Sequence, residues 1–289
     1  TSGAYAERLG IGSWSTTGNF AAVNNLGNGF ITGGGSMVGA ATAQVNNGTA
    51  GLNSGSMTIQ YTTNGELIDS SFTTINANSQ TINLQATGYN LAAGNATPTP
   101  VVLANQRVGG TLTQPLTVNN TASAGSFTEG LNVTFGTNSG NALNNGGTIN
   151  LLAGQANNSS AMNVSVDTTS AGVKSGTVTL NYASDGTGTS GLGTTSVGSQ
   201  TINVSGNVYL AAQPSLSTSL NLGNAHVGST ANQAITIANT NLAPGYQEGL
   251  DVGVQSSSNA TGVGSITNLA AGGSSTNIGL GMTASAAGV

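Results

Sequence analysis

Ser175-Gly176-Thr177-Val178-Thr179-Leu180-Asn181-Tyr182 alternates polar and apolar side chains without a break, so Val178, Leu180 and Tyr182 share one face and Thr177, Thr179 and Asn181 the other. A period of two marks a β-strand with one dry and one wet face. The same pattern stands 121 residues earlier as Ser54-Gly55-Ser56-Met57-Thr58-Ile59-Gln60-Tyr61. Working outward, Val108-Gly109-Gly110-Thr111-Leu112-Thr113-Gln114-Pro115-Leu116-Thr117-Val118-Asn119-Asn120-Thr121 returns 119 residues on as Val227-Gly228-Ser229-Thr230-Ala231-Asn232-Gln233-Ala234-Ile235-Thr236-Ile237-Ala238-Asn239-Thr240. A third anchor, Glu7-Arg8-Leu9, Glu129-Gly130-Leu131 and Glu248-Gly249-Leu250, recurs at offsets of 122 and 119. Repetition at domain length implies tandem copies that share one mechanical or adhesive task, because an enzyme needs only one site.

Between the anchors, residues 91–209 contain further alternating runs: Leu116 and Val118; Leu131, Val133 and Phe135; Met162, Val164 and Val166; Ile202 and Val204. An edge segment at Val101 to Val108 and a short strand at Ile149 to Leu152 bring the count to about seven strands, joined by Gly- and Asn-rich turns. The expected fold is therefore all-β, as tandem immunoglobulin-like β-sandwich domains of about 120 residues each. A parallel β-helix, the alternative for so Gly-, Asn- and Thr-rich a chain, would repeat every 20 to 25 residues or so, and no such period is present.

The offsets predict a division into three. Residues 91–209 form a complete sandwich. Residues 1–90 lack its first strands, because nothing before Glu7 matches Leu116 to Thr121. Residues 210–289 lack its last strands, because Ala286-Ala287-Gly288-Val289 aligns with Ser170-Ala171-Gly172-Val173, just before Thr177. Open sheet edges call for another strand, supplied either by covalent flanks or by neighbouring chains through β-augmentation. A signal peptide or anchor would lie outside these residues.

Only 4% of the 289 residues are charged, against roughly 25% in ordinary globular proteins. The three basic residues, Arg8, Arg107 and Lys174, cannot build a phosphate-binding stripe, so nucleic acid is not an expected partner. The net charge of −5 argues against anionic membranes. No run of 18 apolar residues exists, so membrane insertion of this segment is not expected either. The absence of cysteine excludes disulfides and thiolate metal sites, and fits an exported protein. Hydrophobic residues make up 37% of the chain, and their alternating placement is that of packed strands, not of a disordered tail.

Candidate chemical motifs reduce to structural ones. Gly186-Thr187-Gly188-Thr189-Ser190-Gly191 matches a dinucleotide fingerprint in its letters, but the motif needs a following helix to receive the pyrophosphate, and here another strand begins near Gln200. A flexible hairpin loop is expected. His226, the single histidine, is matched by Arg107 in the preceding repeat, as befits an exposed strand end, and no Ser-His-acid constellation can be assembled around it. The chain is read as a non-enzyme, with no catalytic, cofactor-binding or metal residue assigned. Glu66, Asp69, Asp167, Asp185 and Asp251 are scattered singly; Asp185, beside Gly-rich backbone, is the one place where part of a calcium site could form. Glu7, Glu129 and Glu248 each follow an aromatic, at Tyr5, Phe127 and Tyr246. That spacing is expected to be a turn cap supported by a packed ring, with an inter-domain contact as the alternative. Trp14 falls near the equivalent of Gly136, where core or edge packing is expected in preference to a carbohydrate platform. Sequons such as Asn132-Val133-Thr134 arise by chance in this composition.

Leu220-Asn221-Leu222-Gly223-Asn224-Ala225-His226-Val227-Gly228-Ser229, followed by Ile235-Thr236-Ile237-Ala238-Asn239-Thr240, resembles the opening of Hydin-type (ASH) immunoglobulin-like domains: hydrophobic, Gly, three residues, Val-Gly, a strand, then Asn. Leu152-Ala153-Gly154, Met162-Asn163-Val164-Ser165-Val166-Asp167 and Ala171-Gly172-Val173-Lys174-Ser175-Gly176-Thr177-Val178-Thr179-Leu180 resemble the later strands of the same domains. The run Ser184-Asp185-Gly186-Thr187-Gly188-Thr189-Ser190-Gly191-Leu192-Gly193-Thr194-Thr195 is similar to the repeats of bacterial choice-of-anchor D surface proteins. In the first repeat Asn64-Gly65-Glu66-Leu67-Ile68-Asp69 replaces it. The resemblance implies an immunoglobulin-like fold and transfers no catalytic residue. It points to a structural repeat segment of a bacterial extracellular fibre, filament or sheath protein at the cell surface, partnered by copies of itself or by adjacent repeats. The alternative is the stalk or binding region of an adhesin that recognises carbohydrate or a host surface.

Overall fold

The computed structural model describes residues 5–46, 48–242 and 245–287, and strands supply all the helical or sheet structure in them. Gly288 and Val289, which end the C-terminal alignment above, lie outside the described residues. Every strand ladder joins strands of one of three successive groups.

The first group contains β1 (Arg8–Thr16), β2 (Phe20–Asn24), β3 (Ala41–Val45), β4 (Gly51–Asn64) and β5 (Ile75–Gly88). β1, β4 and β5 form one antiparallel sheet in that order, and β2 pairs with β3.

The central group opens with β6 (Gly94–Thr97), β7 (Val101–Val102), β8 (Gln106–Arg107), β9 (Gln114–Pro115) and β10 (Thr117–Asn120). It continues through β11 (Gly130–Gly140), β12 (Ala142–Asn144), β13 (Thr148–Leu152), β14 (Asn157–Asn158), β15 (Asn163–Val166), β16 (Gly172–Asp185) and β17 (Thr194–Tyr209). One layer combines the ladders β14-β10-β6 and β12-β15-β9, linked where the Leu116 N–H donates to Met162 O at 2.8 Å. The other layer runs β13-β11-β16-β17-β7. Pro98 and Pro100 have no amide hydrogen to continue the pairing of β6 with β10. Beyond them the chain crosses over, and β7 and β8 lie parallel to β17. A first strand shared between two antiparallel layers, the second of which holds the third, sixth and seventh main strands, is the immunoglobulin-like arrangement.

Between the layers lies a dry core, in which Leu116, Val118, Leu131, Val133, Val178 and Leu180 are all 0% exposed. These are the inward members of the alternations. The edge expected over Val101 to Val108 is two short parallel pieces, β7 and β8, instead of one strand. β11 runs past Phe135 to Gly140 because a register shift between Phe135 and Asn138 lets its pairing with β16 resume.

The third group contains β18 (Pro214–Ser215), β19 (Thr230–Asn239), β20 (Leu250–Gly253), β21 (Ala260–Val263), β22 (Ser265–Leu269) and β23 (Ser274–Thr283). Its sheets are β18-β19-β23-β21 and β20-β22, around a small core of Ile235, Ile237, Ile266 and Ile278.

Recurring residues do recurring work. Asn120, 1% exposed, accepts the Ala93 and Ala122 N–H groups and donates to Leu152 O at 2.9 Å. Asn239, 0% exposed, accepts the Gln213 N–H and donates to Leu269 O at 3.1 Å. Each thereby satisfies loop backbone groups that burial would otherwise strand. The glycine of each Ser-Gly pair is required by close approach: a Cβ would lie 2.1 Å from Ser139 O at Gly176, and 2.2 Å from Thr17 O at Gly55.

Two expected outcomes follow from this core. Val164→Asp and Leu180→Asp each place a carboxylate among apolar walls and cost at least ~3 kcal/mol, a large share of a domain's ~5–15 kcal/mol; Asn163→Asp and Thr179→Asp on the outer faces leave the melt nearly unchanged, as circular dichroism checks. Burial also pushes the Tyr182 hydroxyl from its ordinary 10.0 up to about 12. Because the folded value is the higher one, the stability contributed by the neutral phenol is fully present below pH 10.0 and is lost as the pH rises toward 12. Tyr182→Phe removes that alkaline loss, which melts across the same pH range measure.

Candidate functional site at the junctions between groups

Tyr89 and Asn90 leave β5 and run beside the loop that leads into β11. The Asn90 N–H donates to Phe127 O at 2.8 Å, and the Glu129 N–H donates to Asn90 O at 3.0 Å. This forms a one-residue parallel bridge between Asn90 and Thr128. The Tyr89 ring packs on Phe127 at 5.8 Å between centroids, inclined by 54°.

The same construction follows β17. The Leu210 N–H donates to Tyr246 O at 2.9 Å, the Glu248 N–H donates to Leu210 O at 3.0 Å, and Leu210 bridges Gln247 in parallel. Tyr209 meets Tyr246 at 5.4 Å, again inclined by 54°. Two backbone hydrogen bonds at ~1 kcal/mol each and an aromatic pair at ~0.5–1.5 kcal/mol make each clamp worth about 3 kcal/mol before the cost of ordering it.

The expected turn cap supported by a packed ring thus gives way, at Glu129 and Glu248, to the alternative, a contact between groups. Phe127 and Tyr246 each receive the ring of the preceding group, and the N–H groups of Glu129 and Glu248 hold that group's exit segment, whereas Tyr5, before Glu7, is exposed. The signal was legible as a 120-residue offset between Tyr89 and Tyr209, which local motif reading passes over.

Two of the glutamate side chains bond within their own group, and the third reaches across the junction. Glu129, 2% exposed, accepts the Ser184 hydroxyl at 2.7 Å and the Ser190 hydroxyl. Glu7 accepts the hydroxyl of Thr63, which occupies the Ser184 position of the first group. Glu248 instead meets Arg107, whose Nε donates to both carboxylate oxygens at 2.8 and 3.0 Å. Hydrogen bonding and charge from Glu248 hold the Arg107 guanidinium above its ordinary value. The ion pair is exposed, so it orients the junction more than it stabilises it.

The run Gly186 to Gly191 is the hairpin loop between β16 and β17, with no helix after it. It is folded over Glu129 through Ser190, and a Cβ at Gly186 would stand 2.2 Å from Ser190 Oγ. Asp185 accepts the Thr187 N–H at 2.8 Å and an Asn132 Nδ2 hydrogen at 2.7 Å; Thr187 first, then Asn132, hold its carboxyl below the ordinary range. Among the described residues no three His, Asp or Glu side chains converge. His226 is exposed, and its carbonyl accepts the Ser229 hydroxyl. Trp14 lies half-exposed on β1 and donates to Ala22 O at 3.2 Å.

No family model matches this chain, and no curated protein matches it. Among solved structures, a chain titled "Biofilm associated protein - BSP domain" is 15% identical, over 70% of this chain and 25% of that one, with a TM-score of 0.16. This chain thus spans about a quarter of that chain's length. The chicken CNTN1 FN1-FN3 domains are 8% identical, over 97% of this chain and 94% of theirs, with a TM-score of 0.20. At such scores the fold assignment rests on strand pairing alone.

Phe127→Ala and Tyr246→Ala remove one ring from each clamp while touching neither core. Each is expected to broaden the distance distribution from small-angle scattering and to shift the melt of the central group by less than about 4 °C. A collapse of that melt would instead place the ring in the core.

Proposed function

We propose that this chain is a structural repeat segment of a bacterial extracellular fibre, filament or sheath protein of the choice-of-anchor D type. Its tandem sandwich units are residues 1–90, 91–209 and 210–289. The observation that carries this reading is the clamp made twice, with the same bridge and the same 54° ring inclination. A junction repeated with one geometry sets a constant step between units, and an array of constant steps extends in proportion to its unit number. The low charge supports it as well, because neutral faces stack laterally with little mutual repulsion. Neutral amide and hydroxyl partners replace the ion pairs that salt would screen.

Immunogold labelling of producing cells with antibodies against residues 91–209 tests the proposal. Label is expected at intervals along the length of surface fibres or across a sheath. Label confined to fibre tips, together with saturable binding of the chain to a glycan or host extract, overturns it in favour of an adhesin.

A further inference from the structure

The two junctions share a geometry but differ in one hydroxyl. The first sets Tyr89 against Phe127 at 5.8 Å between centroids, and the second sets Tyr209 against Tyr246 at 5.4 Å, both inclined by 54°. Among the described residues, only the second junction therefore packs one phenol ring on another. Because Phe127 makes the same contact without a hydroxyl, packing at Tyr246 does not require its phenol oxygen. Of the six tyrosines, the other four are differently placed. Tyr182 is 4% exposed and donates to Gln200, Tyr61 donates to Gln80, Tyr89 faces a phenylalanine, and Tyr5 is 91% exposed.

Backbone contacts hold the two phenols together. The Leu210 N–H, next to Tyr209, donates to the carbonyl of Tyr246 itself at 2.9 Å, and the Glu248 N–H donates to Leu210 O at 3.0 Å. Arg107 then fixes the Glu248 carboxylate. Both rings are half-buried, so they are packed against each other without being sealed in a core. Facing ring edges at this centroid separation are in van der Waals contact. Two reacting groups held in this way meet at an effective concentration far above that of separate chains in solution.

We propose that Tyr209 and Tyr246 are an oxidative cross-linking site, at which hydrogen peroxide acting through a haem peroxidase joins the rings as dityrosine. Each phenol gives up its O–H hydrogen as one electron and one proton. The two phenoxyl radicals form a carbon–carbon bond between ring positions ortho to oxygen, and the hydrogens on those carbons return to the phenol oxygens. The peroxide takes up the two electrons and two protons and leaves as two waters, so the chain loses two hydrogen atoms. The product ties the central group to the third by a covalent bond that denaturant does not break. The first junction, with one phenol, stays untied. The inference rests on the ring geometry alone and stands apart from the fibre reading, which immunogold tests separately.

The 289-residue protein, kept dilute, is treated with a haem peroxidase and hydrogen peroxide, and dityrosine is followed by its blue fluorescence. Elastase, which cuts after alanines such as Ala211 and Ala212, then separates the two tyrosines for mass spectrometry. The expected product is a monomeric chain that yields one linked pair of fragments, containing Tyr209 and Tyr246 and lighter than their sum by two hydrogen atoms. Tyr209→Phe and Tyr246→Phe each abolish that pair while keeping a packed ring, as phenylalanine does at the first junction. Phe127→Tyr supplies the missing phenol at a half-exposed position and is expected to add a second linkage, to Tyr89. Circular dichroism verifies that all three variants keep the fold. The proposal is overturned if no dityrosine forms, if the linkage maps to Tyr5, if it joins separate chains only, or if Phe127→Tyr gains none.

Discussion

Leu116 and Val118 enter a space bounded by Leu131, Val133, Leu180 and Tyr182, and this dry layer organises the rest of the central group. Each fully buried aliphatic side chain contributes roughly 1.5–3 kcal/mol, and the sheets supply such residues at every second position. The layer also dictates which strands must pair. β16 stands between β11 and β17, so its inward face meets the most apolar neighbours and its Ser-Gly start has no room for a side chain at Gly176. Where the layer is filled, exposure falls to at most 4%; of the matching side chains in the first group, Ile59 is buried and Leu9 is 41% exposed.

Polar work is done almost entirely by neutral groups. Asn120 and Asn239 tie loop backbone to the ends of strands, and Gln200 stands in for a strand against β6. The buried Glu129 is held by serine hydroxyls without any cation. Hydrogen bonds of this kind are short-ranged and directional, and they do not weaken as salt rises. They suit a chain in which a single ion pair, Arg107 with Glu248, is formed among the described residues, and that one lies across a junction.

The two junctions between groups are built alike. A backbone bridge restricts translation, a tilted ring pair restricts rotation, and both recur at the same places relative to β11 and to β20. A repeated constraint gives repeated geometry at the two junctions.

The all-β class, the inward residues and the recurrence were legible in the chain itself. Val178, Leu180 and Tyr182 alternate with polar partners, burial on one face follows from a period of two, and both are local properties that neighbouring residues determine. The buried asparagines were visible as the residue closing each repeated strand, though not what they hold. Tertiary structure alone decided which distant groups meet: Tyr89 with Phe127, Tyr209 with Tyr246, Gln200 with Ala96, and the Gly186 to Gly191 loop with Glu129. These contacts join residues tens of positions apart. Their geometry depends on how two layers and two groups are set against each other, which alternation along a single strand does not encode.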